Sequence, residues 1–247
     1  MSSHAGHVSV LQLQFLVLGN RADWPVVQVL VDGREAFVDE LPGWQGFDPG
    51  DMLGDHSPLL PEVHGRRVAV YRCSCGIEGC GVIAPVIMAS PDGQRVSWVD
   101  FRDYTGVFTG PTAPDTGRLD GRPWPFQDLH FGRRQYVAEI RRVSGDSSWE
   151  TSRRVTARLV ADGLRAQDVV LPADLRLQWA APTWNADGVE LSFEDRPPGG
   201  ESFRQVLLRL DSAHSEPEQA AHDILSRLQA IPVSEWGTRF GSQRRRR

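Results

Sequence analysis

The chain contains no lysine: all 27 of its basic residues are arginine. A GC-rich genome that spells its cations as arginine accounts for this more simply than selection for bidentate anion binding. Apolar runs are short, none approaching the ~20 residues that span a bilayer. The opening MSSHAGHVSV has neither the basic start nor the apolar middle of a secretory signal, so the cytoplasm is the expected compartment and no membrane is expected as a partner. There is no phosphate-binding glycine loop, no Gly-x-Ser-x-Gly elbow and no His-Glu-x-x-His helix, which removes the usual signatures of nucleotide, serine-hydrolase and metalloprotease chemistry. Only three cysteines are present, an odd number that suits reduced thiols rather than a secreted disulfide framework.

What is present is enough to build a core. The 247 residues are 40% hydrophobic and include eight tryptophans and ten phenylalanines. The net charge is −5, and removing the four positive charges of the terminal arginines 244–247 leaves a body of −9. A body that acidic argues against nucleic acid, whose binding rests on neutralising phosphates. The arginine tail is expected to be a disordered end.

The first half reads as strands. Leu11, Leu13, Phe15 and Val17 alternate with Gln12 and Gln14, the two-residue period of a half-buried strand. Val27, Val29 and Val31 precede Asp32-Gly33, a hairpin turn in which both residues take positive φ. In the loop 43–61, Asp48 is placed to cap one helical turn that begins at Pro49, with Asp51 near its positive end. The spacing of Asp48, Asp51 and Asp55 misses a calcium loop. A meander is expected from 68 to 101, with a strand over 68–75 and a turn at Pro91-Asp92-Gly93.

The second half changes period. Tyr136, Ile140 and Val143 at i, i+4 and i+7 make one apolar helical face. A second helix is expected to open on a Ser147/Glu150 capping box and close at Gly163. Three strands follow, then a last helix from Ser215 that ends before Pro232. Strands grouped with strands and helices with helices point to an α+β fold of mainly antiparallel sheets. The expected organisation is a β-rich region over 1–125, an α+β region over 126–243 packed with it as one unit, and the tail 244–247.

All three cysteines fall within residues 71–81, YRCSCGIEGCG. On a regular strand Tyr71, Cys73 and Cys75 share a face, and the loop GIEG sets Cys80 opposite Cys75. Three readings stand. Cysteine is a small, often buried hydrophobe, so the segment can be a structural hairpin. Thiolates also suit zinc, in a site of Cys73, Cys75, Cys80 and a histidine, with His64 the first candidate and His56 and His130 the others. Strand spacing opposes it, because Cys73 and Cys75 would be ~6.6 Å apart, so zinc needs a bend at Ser74. Redox chemistry comes last, since Arg72 points away and Glu78 sits in the turn.

CSCGIEGCG, followed by VSWVDFRDYTGVF at 96–108 and by QYVAEI and SWETSRR between 135 and 154, resembles a group of uncharacterised proteins of high-GC bacteria. That group has a Cys-x-Cys-Gly-x-x-Gly-Cys hairpin upstream of a Trp-x-Asp-Phe strand, and the similarity extends over most of the chain to the final SEWG. No activity is established for it. The resemblance implies that the hairpin is a shared feature, which favours a structural or metal role.

Other residues carry weaker signals. Between 131 and 165 eight arginines face four acids, and Arg134, Arg141 and Arg142 are the candidate contact for an acidic partner. Trp44, in a glycine-rich loop, and Trp236, beyond the last helix, are candidate exposed aromatics. Asp100 and Asp103 beside Tyr104 form a carboxylate pair that more often ends a strand than does acid–base work. Together these residues point to a non-catalytic protein that binds another protein or a small ligand and carries a structural, zinc-compatible hairpin. The second reading is a hydrolase or thiol enzyme whose site lies near the hairpin and the 43–61 loop.

Overall fold

Alternation in the first strand places Leu11 and Leu13 in the core and leaves Gln12 and Gln14 exposed. The computed structural model describes residues 7–17, 19, 21–75, 80–113, 121–166, 171–184, 186–196 and 204–241. The expected arginine tail and the GIEG turn at 76–79 lie outside the described residues. The protein is α+β, with three sheets whose named strand pairs are all antiparallel. It divides into two compact units, Met1–Trp149 and Glu150–Arg247. The helix at 133–144 therefore belongs with the strands that precede it.

In the first unit, β1 (Leu11–Val17), β2 (Pro25–Val31) and β3 (Arg34–Glu35) form one sheet. Asp32 and Gly33 turn the chain with φ of 54° and 78°, the positive pair that the Asp-Gly dipeptide accommodates. Asp48 caps α1 (Pro49–Met52) by accepting from Gly50 N at 2.8 Å, and proline opens the turn, as expected.

The larger sheet holds β4 (Arg66–Arg67), β5 (Tyr71–Arg72), β6 (Val82–Ala89), β7 (Arg95–Tyr104), β8 (Arg122–Pro123) and β9 (Leu129–Gly132). The strand expected over 68–75 is broken, and the reason lies across the ladder. β6 contains Pro85, which has no N–H to donate. Opposite it β7 bulges: Ala84 pairs with Arg102 and Val86 with Val99, so Asp100 and Phe101 share one partner position. Asp100 takes φ 50°, a conformation unusual for a residue with a side chain.

α2 (Arg133–Ser144) buries Tyr136, Ile140 and Val143, the stripe read from the sequence. It also serves the outer edge of β1. Gln135 accepts from Leu11 N and donates to Leu11 O, while Glu139 accepts from Leu13 N and Arg142 donates to Leu13 O. Side chains thus replace a neighbouring strand and satisfy backbone groups that would otherwise be open.

The second unit comprises α3 (Ser152–Arg165), the sheet β10 (Leu175–Pro182), β11 (Val189–Asp195) and β12 (Arg204–Leu210), then α4 (Pro217–Gln229) and α5 (Val233–Arg239). Its core includes Val160, Leu164, Leu191, Phe193, Leu208, Ile224, Leu228 and Trp236. Two expected helix starts are displaced. The Asp146 carboxylate accepts from Ser148 N and holds that segment in a turn, so Thr151 is the cap and Glu150 pairs with Arg158. The helix also runs past Gly163 to Arg165. Pro217 occupies the first turn of α4 and restrains Glu216, so that residue, not Ser215, is the cap. α5 was not expected at all, and it carries Trp236 into the core at 2% exposure.

Candidate metal centre

β5 and β6 bring the cysteines together by register rather than by pleat. Arg72 pairs with Val82, and Cys73 N donates to Gly81 O at 3.0 Å. Continuing that register puts Cys80 level with Ser74, not with Cys75. Ser74 and Cys75 lie in a turn, so the expectation of three thiols on one face of a strand does not hold. The bend that zinc required at Ser74 is present. Sγ of Cys73 and Sγ of Cys75 are 3.0 Å apart, and the three sulfurs all lie within 4.8 Å of one another.

These separations suit one shared ion. Bonds of ~2.3 Å to a common centre put sulfurs ~3.8–4.0 Å apart, so the cluster needs shifts of under about an ångström to close on a metal. Cys75 and Cys80 are exposed and Cys73 is half-buried. Hydrogen bonds with Cys75, and next with Cys73, push the Cys80 thiol up to about 12. An arriving cation must displace the proton that these hydrogen bonds hold on Cys80.

The expected fourth ligand is not part of the cluster. Among the described residues, the cysteines are the one group of three or more His, Cys, Asp or Glu side chains close enough to share an ion. His64 follows Glu62, which bridges to Met88, and precedes Arg66, which pairs with Ile87, at the far end of β6. Five residues of strand separate Ile87 from Val82, about 16 Å. His130 lies on β9 with its Nδ1 2.9 Å from Ser97 Oγ, and His56 is exposed in the 53–61 segment.

The loop after β3 backs the hairpin. Gln45 and Arg72 exchange backbone hydrogen bonds of 2.9 and 2.8 Å. Trp44 is half-buried rather than exposed, and its indole lies against Gly81, where an added β-carbon would stand 3.2 Å from Cη2. Gly46 admits the loop onto β2: a β-carbon there would meet Val27 O at 1.8 Å. The Arg72 guanidinium covers the Phe47 ring at 5.4 Å. The glycines at 46 and 81 were visible in the sequence, but the partner each one admits is visible only in the fold.

The remaining candidates separate. Arg142 is held by Glu139 at 2.7 Å and by Leu13 O, so its charge is engaged inside the unit. Arg134 and Arg141 are exposed on α2. A cleft of about 550 Å³ runs between β1 and α2; Arg142 and Glu139 pair across its wall, and Asp146, also in its lining, leaves an excess of one acidic group. Asp100 binds Arg67 and Arg102, and Asp103 lies 3.4 Å from Arg122, so both carboxylates serve the sheet. No described helix is long and apolar enough to cross a membrane. No family model, no curated protein and no solved structure matches this chain.

Proposed function

We propose that this is a non-catalytic binding protein of the cytoplasm whose cysteine hairpin takes up a thiophilic metal ion, zinc being the ion expected from the sequence. The observation that carries the reading is the convergence of Cys73, Cys75 and Cys80 within 4.8 Å on a hairpin backed by Trp44 and Gln45. Thiols brought this close repel as thiolates, and a cation converts that repulsion into attraction. A nucleophilic role has less support, because the neighbours of Cys80 raise its pKa where catalysis needs it lowered.

Metal analysis of the full chain, purified under reducing conditions without chelators, tests the reading. One equivalent of metal per chain is expected, and Cys73→Ser with Cys80→Ser abolishes it. A fully reduced, folded protein that takes up no metal from solution refutes it.

A further inference from the structure

We propose that the ion matched to this hairpin is a monovalent thiophilic cation, copper(I), held in a trigonal set by Cys73, Cys75 and Cys80. The inference rests on the reading of the hairpin as a metal site and specifies its occupant. Structural zinc almost always closes a tetrahedron with four protein ligands. Here the described residues bring three donors together, all of them sulfur, and the histidine expected as the fourth stands at the other end of β6. Zinc on this set keeps a water as its fourth ligand. Copper(I) is complete with three thiolates, and soft sulfur donors favour it.

The position of the sulfurs agrees with this assignment. Two of the three sulfurs are exposed, so the ion enters without opening the core. Loading releases three protons from three thiols, and one monovalent cation then leaves a complex of net charge −2. No electron moves when the metal arrives as copper(I). Two copper(II) ions would instead oxidise two thiols to a disulfide, each taking one electron while two protons leave, so the metal must be supplied already reduced.

The test uses the full chain under anaerobic, reducing conditions, titrated with copper(I) buffered by bicinchoninate and, separately, with zinc against a chromophoric indicator. The expected result is one copper(I) per chain with a near-ultraviolet thiolate-to-copper band. One equivalent of copper(I) then expels bound zinc. Cys80→Ser and Cys75→Ser, both exposed and expected to fold, each weaken copper(I) by at least about tenfold, the lower end of what even an outer-shell partner of a metal ligand is worth. Zinc retained against equimolar copper(I) overturns the copper assignment and leaves the metal-site reading intact. Failure of both ions to bind overturns both. Copper(I) bound only by chains bridged as dimers, or bound equally well by the two variants, overturns the three-thiolate site.

Discussion

Arg67 holds Asp100 through backbone and side chain together. Its guanidinium, with 11% of the side chain exposed, donates to Asp100 O at 2.6 Å and to the Asp100 carboxylate at 2.5 Å. It also donates to Ala84 O at 2.8 Å. These bonds lie at the β7 bulge opposite Pro85, so an arginine from the adjacent strand supplies a donor to carbonyls on both sides of the irregularity.

Arg67→Met leaves those carbonyls and the carboxylate without this donor, and is expected to cost about 1–3 kcal/mol in urea unfolding. Asp100→Asn is expected to cost less, because asparagine tolerates positive φ and the two carbonyl bonds remain. Equal losses in the two variants would show that the ion pair, not the backbone bonding, carries the effect.

Glu139 gives the first unit an acid-sensitive joint. The Arg142 guanidinium, opposed by partial burial and aided by Leu13 N, holds its carboxyl below the ordinary value of 4.5. A depressed folded pKa contributes stability that is present above 4.5 and lost as pH falls through and below that value. The urea midpoint is therefore expected to be level from pH 7 to about 5 and to drop below, and the gap between wild type and Glu139→Gln to narrow over the same fall. A gap that stays constant to pH 3 rejects this account.

A buried relay ties α2 to the sheet. Trp98 Nε1 donates to Tyr136 Oη at 2.9 Å, and the Tyr136 hydroxyl donates to Leu59 O at 2.8 Å. Tyr136→Phe keeps the ring packing and removes both bonds, stranding a buried donor and a buried acceptor. A loss of about 1–3 kcal/mol is expected in chemical denaturation.

Gly46 and Gly81 make a graded pair. Gly46→Ala sets a β-carbon 1.8 Å from the Val27 carbonyl oxygen, which only movement of the loop relieves, and is expected to cost about 1–3 kcal/mol. Gly81→Ala meets the edge of the Trp44 ring at 3.2 Å, which yields by a few tenths of an ångström, and is expected to cost less than about 1 kcal/mol. Thermal melts of the two variants check the order.

Metal uptake should be steeply dependent on pH, because the Cys80 thiol, pushed up to about 12, and its neighbours must give up protons to the solvent. Apparent affinity is expected to rise by up to about tenfold per pH unit for each proton released between pH 6 and 8. A flat profile indicates that the thiols are already ionised.

Local physics made much of the fold legible in the chain itself. Alternation identifies β1, paired positive φ at Asp32-Gly33 identifies its hairpin turn, and Tyr136, Ile140 and Val143 identify the buried stripe of α2, since each depends on neighbours within a few residues. The proximity of three cysteines was equally plain, and with it a donor set compatible with a soft cation. Tertiary structure decided the rest. The strand expected through Cys75 ends at Arg72, Cys80 sits level with Ser74, and His64 is carried to the far end of β6, because register is set by the pairing of one strand with another and not by either strand alone. The burial of Trp236 and the seating of Trp44 on Gly81 were decided the same way. Composition and a short local hairpin brought the three thiols together, and only the pairing of β4 with the far end of β6 determined that His64 is not among them.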